Sequence, residues 1–410
     1  MRPSAQALQA MRDSLSPSAL GHLNDAVRRI VEAKQRGGKV VAVTGSGPNI
    51  HEGVTTQIAE LIAKGLIDGV ITSSAVIAHE MGGTLDRVKR VRIEDDADLP
   101  FPGKLLPRGR IFEITVLNGQ QRAEMEKEFG DGWELYDRMA AREGNVVIKA
   151  AGNMAWPMGL RTERVAREIR DAASQYGVSL EFLAGLGASP LTMMGAGARK
   201  NVPVLVSIPQ LVGGGAVGLA IGDAISLSRR AQGIAEMLGS ADVIIESAIA
   251  LSQEIHDGPF ETYTGHGIWA AWDHMPTYSL QGKTLVRIDL DSNLERAWEL
   301  ERSDAEVQNA VNQGLPKTKR TGIPFRMEMS GFARLESSIP VTGDIGSVWP
   351  LIASALEEQL GTKLDFISAP QESDHGKQVR SWIADEIRYL DRLEMYREAE
   401  RRLARRERVV

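Results

Sequence analysis

Two kinds of apolar segment alternate along the chain. Short unbroken runs at 39–43, 69–74, 146–148, 201–207, 242–247, 283–289 and 338–343 have the length and continuity of strands buried on both faces. Between them, apolar residues recur at helical spacing. Leu20, Leu23, Val27, Ile30 and Val31 share one helical face within a mostly polar segment, 1–38. Val54, Ile58, Leu61 and Ile62 share another, closed by Gly65. With a further helix over 75–85, the stretch 39–86 reads β-α-β-α, the rhythm of a parallel sheet with crossover helices.

The rhythm breaks over 92–144, where the acidic run Glu94–Asp98, four prolines or glycines at 100–107 and a charged helix over 120–143 point to an insertion. It resumes with the strand at 146–148, a helix over 163–176 and a short strand at 180–183. After the strand at 201–207, Gly213, Gly214 and Gly215 lead into one helix over 217–238. A helix over 348–360 follows the last strand. Beyond Gly376 lies a long charged helix with the apolar stripe Val379, Ile383, Ile387 and Leu390. The expected fold class is therefore α/β, a doubly wound, mostly parallel Rossmann-like sheet. Its expected parts are a helical segment 1–38, an α/β domain 39–375 and a C-terminal helix 376–410. Segment 256–278, aromatic and loop-like with His256, His266 and His274 near Trp269, Trp272 and Trp298, is read as a lid over a substrate.

Composition narrows the function. The 410 residues are 43% apolar and 25% charged, ordinary for a globular protein. The net charge of −6 argues against a nucleic-acid partner. The absence of cysteine removes disulfides, thiolate nucleophiles and cysteine-held metals. With no H-E-x-x-H pair either, no metal site is expected. The longest apolar run, around 216–225, is interrupted by Gly218, Gly222 and Asp223, so no membrane span is expected. The reading is a soluble, cytoplasmic protein, with the C-terminal helix suited to packing in a homo-oligomer, a dimer or tetramer.

Ligands of a doubly wound sheet bind outside the carboxyl ends of the strands. Here those ends carry small or acidic residues: Gly45 and Gly47 after the first, Ser74 and Ala75 after the second, Gly213 and Gly214 after the strand at 201–207, and Ser247, Ala248 and Ile249 after the next. Asp289 and Asp344 close the last two. Glycines admit a phosphate close to the backbone, and an acid at a strand end can accept ribose hydroxyls. The loop after the first strand is not G-x-G-x-x-G, because position 50 is Ile. For proton transfer the candidates are His51 and His79, followed by Glu52 and Glu80. Arg199 or Lys200 is suited to a substrate carboxylate.

These strand ends resemble the deoxyhypusine-synthase-like NAD-binding fold. Within it they are most similar to the NAD-binding C-terminal region of archaeal ornithine cyclodeaminase and LOR/SDH-type proteins. The matching segments are 43–53, 71–80, 200–207, 241–258, 284–291 and 339–350, spread over 39–90 and 198–360, regions that make up about half the chain, and Ile339-Pro-Val-Thr-Gly-Asp-Ile-Gly346 is the strongest. The resemblance implies NAD as cofactor, with contacts at Ser74 and Ala75, at Ala248, Ile249 and Ala250, at Asp289, and at Asp344 with Ile345. Two departures stand out: Gly213–Gly215 where that group tends to carry acids, and 92–198, which has no counterpart. The stretch 248–257 has Gln253 near the place of the imine-forming lysine of deoxyhypusine synthase and no lysine at all, so aminobutyl transfer is not expected. The expectation is an NAD-dependent enzyme acting on a small amino acid or amine by transient hydride transfer at a C–N carbon, as in ornithine cyclodeamination. The alternatives are a dehydrogenase that accumulates NADH and a dinucleotide sensor without turnover.

Overall fold

A computed structural model describes residues 1–403 except 46, 95–98, 100, 107–108, 131, 151, 153, 248–271, 275–278, 281, 290–298, 301–302, 307–308, 310–312 and 314–337. In chain order the elements are α1 (Ala5–Asp13), α2 (Pro17–Gln35), β1 (Val40–Val43), α3 (Pro48–His51), α4 (Val54–Ala63), β2 (Gly69–Thr72) and α5 (Ser74–Gly82). Then come β3 (Asp86–Arg92), β4 (Ile111–Thr115), α6 (Gly119–Phe129), α7 (Trp133–Ala141), β5 (Gly144–Lys149), α8 (Met158–Gln175), α9 (Leu180–Gly187) and α10 (Met193–Lys200). The remainder are β6 (Val204–Val206), α11 (Gly215–Ala224), α12 (Leu227–Ser240), β7 (Val243–Glu246), β8 (Thr284–Asp289), β9 (Ser338–Thr342), α13 (Ile345–Leu360), α14 (Asp374–Glu386) and α15 (Arg392–Leu403). No helix among the described residues is long and apolar enough to cross a membrane.

Among the described residues, six strands form one all-parallel sheet in the order β6-β2-β1-β7-β8-β9. The chain winds outward from β1 through β2 to β6, then returns to the other side of β1 with β7. The strand order therefore reverses between β1 and β7, and a crevice opens there at the carboxyl edge. Alternate residues of the strands point to opposite faces. Val41, Val43, Ile71, Ile244 and Leu285 meet Ile234 and Leu238 of α12 on one face. Val40, Ala42, Val70, Ile245 and Val286 meet α2, α4 and α13 on the other. Burial on both faces is why these strands read as unbroken apolar runs.

β6 is an edge strand, and its outward backbone groups are capped by an ion pair. Glu181 of α9 accepts the Val206 N–H (2.9 Å), and Arg230 of α12 donates to the Val206 carbonyl (3.2 Å). The two side chains meet each other at 2.5 Å and are essentially inaccessible. They occupy the positions that a further strand would take, which blunts the edge. A second buried pair, Glu246 and Arg287 at 2.9 Å, lies side by side at the ends of β7 and β8.

Several expectations are corrected. The apolar triplet at 146–148 is a strand, but not of the parallel sheet: β5 pairs antiparallel with β3, which also pairs with β4, in a separate sheet ordered β4-β3-β5. This antiparallel arm spans 86–149, wider than the insertion expected over 92–144. Segment 180–183 is helical, because Ser179 caps α9 through the Phe182 N–H. The expected helix over 217–238 is two, with Ser226 starting the second as its cap. Gly130 and Gly132, both with positive φ, divide the helix expected over 120–143. The C-terminal helix is also two. Ile387 ends α14 in an extended conformation, and 387–391 crosses to α9, where the Asp391 N–H bonds the Gly187 carbonyl (2.9 Å).

Candidate functional site

The crevice at the switch point has a hydrogen-bonded floor. Asn49, on α3 directly after β1, donates from Nδ2 to the Ser247 carbonyl (2.9 Å) and accepts from Ser247 Oγ (2.5 Å). Trp349 Nε1, from α13, donates to the same Oγ (2.8 Å). All three side chains are buried. The network ties the β1 and β7 ends to α13 and fixes Ser247, one of the expected strand-end residues. Gly45 and Gly47 lie in the loop above it. Gly47 adopts φ 68°, and a Cβ there would meet nothing within 4 Å, so the backbone conformation and not crowding calls for glycine. That open space, with small residues at the ends of β1, β2 and β7, fits the close approach of a dinucleotide.

On the other side of β1, the β2 end and the triple glycine are in contact. A Cβ on Gly214 would lie 2.6 Å from Ser74 Cβ, and one on Gly213 would lie 3.5 Å from Ala75 Cβ. Ser74, Ala75, Gly213 and Gly214 are thus brought together. Ser73 caps α5. At the far side, Asp289 ends β8 with its carbonyl accepting the Gly343 N–H (2.8 Å). Asp344 caps α13 through the Gly346 N–H (3.3 Å), and Ile345 begins that helix.

Glu52 joins this wall. It is 4% exposed, and its two oxygens accept from the backbone N–H (2.6 Å) and the side-chain amide (2.7 Å) of Gln371. A Cβ on Gly346 would stand 2.4 Å from Glu52 Oε2 and 3.1 Å from Asp344 Oδ2, so glycine at 346 makes room for both carboxylates. Burial raises the Glu52 carboxyl to about 7; the Gln371 hydrogen bonds oppose this, while Asp344 and Glu372 add to it. Burial also raises Asp344. Arg380 of α14 faces Glu52 and donates to the Ile148 carbonyl of β5.

His51, His79 and Glu80 are placed differently from the expectation of free acid–base groups. His51 Nε2 accepts the Ala150 N–H (3.1 Å), and His79 Nδ1 accepts the Gly152 N–H (3.0 Å). The lone pair that a base would use is engaged in each. Burial, then Arg380 and Lys149, lower His51; burial, then His51 and Lys149, lower His79 to about 4. Both imidazoles are neutral pins that dock the exit of the antiparallel arm. Glu80 is fully buried and accepts the Met193 and Met194 N–H groups (2.7 and 3.0 Å) at the start of α10, which makes it a helix cap. Arg199 is held by the carbonyls of Gly185, Ala188 and Gly195, away from the strand ends. Lys200 ends α10. Ala248, Ile249 and Ala250 lie outside the described residues, as does the expected lid except 272–274. Asn49, Trp349, Gln371 and Arg380 were not foreseen. The polar Asn49 beginning a helix after a glycine loop is a signal for Asn49 alone.

No family model matches the chain, and no curated protein matches it. Among solved structures it is similar to apo ArgZ, an arginine dihydrolase from the ornithine–ammonia cycle in cyanobacteria. The identity is 13% and the TM-score 0.39, over 84% of this chain and 32% of that one. It is similar to AgrE in its ternary complex with ornithine and NAD+, at 14% identity and TM-score 0.37, over 87% of this chain and 34% of that one. It is also similar to a LOR/SDH protein from Methanococcus maripaludis S2, at 13% identity and TM-score 0.37, over 87% and 74%. The chain spans about a third of the length of the first two.

Proposed function

We propose that the protein is an NAD-dependent enzyme that acts on a small amino acid or amine, with Glu52 as the general base. One observation carries this reading: a buried carboxyl with a pKa of about 7 stands beside Asp344 at the carboxyl edge of a switch-point sheet. A base is most effective when its pKa lies near the working pH. The nicotinamide, when bound, supplies reversible hydride acceptance. The chain does the rest. Gly45, Gly47, Ser74, Ala75, Gly213, Gly214 and Ser247 admit the dinucleotide, and Asp289 offers a carboxylate to a ribose. Glu52 takes the proton of the substrate ammonium, and Asp344 and Glu372 hold the cation. These acids replace the ones that Gly213–Gly215 lack. Gln371 fixes the Glu52 carboxylate through two hydrogen bonds, so its free lone pairs keep one direction.

The test is incubation with ornithine, lysine and related diamino acids at catalytic NAD, following ammonia and NADH absorbance together. Ammonia without a lasting rise in NADH is the expected result. Stoichiometric NADH would make the protein a dehydrogenase. NAD binding without turnover of any amine would overturn the enzymatic reading in favour of a sensor, and no binding of NAD or NADH would remove the cofactor.

A further inference from the structure

Arg380 stands where the antiparallel arm meets the crevice wall. Its helix, α14, packs on the chain beside Glu52: a Cβ on Gly53 would lie 3.3 Å from Ile383 Cδ1 and 3.4 Å from Val379 Cγ1. Val379 immediately precedes Arg380, and Gly53 immediately follows Glu52. From that contact the Arg380 side chain runs to the end of β5, where Nη2 donates to the Ile148 carbonyl. His51 reaches the same stretch of the arm, accepting the Ala150 N–H (3.1 Å). The two contacts flank a single residue, Lys149, so the guanidinium and the imidazole stand beside each other. The charge of Arg380 acts on both His51 and Glu52.

The other cation at this junction is already paired. Lys149 Nζ meets both oxygens of Glu113 (3.1 and 2.9 Å), which also pairs with Arg90 (3.1 Å). Arg380, among the described residues, makes one hydrogen bond and no ion pair. Glu52, which it faces, gives its oxygens to the backbone N–H and the amide of Gln371 instead (2.6 and 2.7 Å). Nε of Arg380 is buried without a partner, whereas Nη1, equally without one, is not buried and reaches solvent. The two donors of Nη1 are therefore open to a ligand. Opposite charges thus meet at one place on the wall: Glu52 and Asp344, brought together at Gly346, and Arg380 beside them. A simple amine uses only the acids. A molecule with an ammonium and a carboxylate on one carbon uses both signs.

We infer that Arg380 seats the α-carboxylate of the substrate through Nη1, and so selects an amino acid over the corresponding decarboxylated amine. The inference deepens the proposed function and rests on the site assigned to it around Glu52. A guanidinium keeps its charge at any working pH and directs its donors in one plane, which suits a carboxylate. Held there, the carboxylate fixes the α-carbon and turns its nitrogen toward Glu52. Nη2 ties the same guanidinium to the arm, so the seat is complete only with the arm docked.

The experiment is calorimetric titration of the full chain, in the presence of NAD, with lysine and ornithine and with their decarboxylated counterparts, cadaverine and putrescine. Each amino acid should bind about tenfold or more tightly than its diamine, as one charge-assisted pair allows. Arg380→Gln, whose amide can still donate to the Ile148 carbonyl, should bring the two affinities together, and Arg380→Lys should keep part of the preference. The preference is a ratio within one protein, so a loosened arm alone does not move it. Binding of neither class, equal or weaker binding of the amino acids by the unaltered chain, or a preference that survives Arg380→Gln would each overturn the inference. NAD affinity and turnover are followed alongside. If both stand while the preference is absent, the role of Arg380 alone fails. If the preference is present and lost in Arg380→Gln while no amine is turned over, the carboxylate seat stands and the proposed reaction falls.

Discussion

The parallel sheet and the antiparallel arm are held by different forces. β1, β2 and β7 are buried at every residue. Each fully buried aliphatic side chain there contributes roughly 1.5–3 kcal/mol. β5 is exposed or half-exposed throughout, with Val146 54% exposed. Its exit is fastened by single hydrogen bonds: His51 to Ala150, His79 to Gly152 and Arg380 to Ile148. Such bonds are each worth about 0.5–1.5 kcal/mol net. The sheet frames the crevice, and the arm is fastened by residues beside that crevice and by Arg87 of β3, which donates to Ser381 and Asp385 of α14. The two histidines therefore belong to the docking of the arm.

The largest expected effect breaks the frame. Arg230→Met leaves Glu181 buried without its cation and should cost about 3–5 kcal/mol in urea denaturation. A second change, Glu181→Leu, should restore only part of this, because the Val206 N–H and carbonyl then lose their caps. Full recovery would show that the pair does not cap the β6 edge. Glu52→Gln turns an amide NH2 against one of the two Gln371 donors and should cost about 1–3 kcal/mol in urea denaturation while lowering turnover about 10²–10⁴-fold. In the unaltered protein kcat/KM should rise with pH through about 7, because the base acts deprotonated and Glu52 loses its proton there. Glu52→Gln should remove that limb; a limb that persists would place the base elsewhere.

The arm is probed at His79. Replacing it by Phe leaves the Gly152 N–H unpaired and should destabilise by about 1–3 kcal/mol. Replacing it by Asn supplies an acceptor near the position of Nδ1 and should recover much of the loss. Because His79 is depressed to about 4 from 6.5, its contribution is present above pH 6.5 and lost as pH falls through 4. The protection of the Gly152 amide, its exchange rate relative to a free amide at the same pH, should fall in that window in the unaltered protein and not in His79→Asn. The smallest effect is at the crevice rim. Asp289→Ala should weaken NAD binding about tenfold, roughly 1.4 kcal/mol, by fluorescence titration, and unchanged affinity would make Asp289 a turn residue only.

The sequence by itself determined the parallel sheet and the strand ends. Continuous apolar runs are a local consequence of burial on both faces, and the residue after each run is necessarily at an edge. Gly45, Ser74, Ser247, Asp289 and Asp344 were legible for that reason. Local pattern did not distinguish the triplet at 146–148 from a strand of the parallel sheet, because the same apolar letters suit an exposed arm once its partners lie alongside. Only the tertiary structure decided what the titratable residues do. Glu52 finds Gln371 319 residues away, His51 finds Ala150 99 residues away, and Asn49 meets Ser247 198 residues on. A hydrogen-bond partner and a desolvated environment are set by which crossovers pack together. The adjacent pairs His51-Glu52 and His79-Glu80 look alike in sequence, yet burial beside Asp344 leaves Glu52 at the crevice wall while the start of α10 turns Glu80 into a cap.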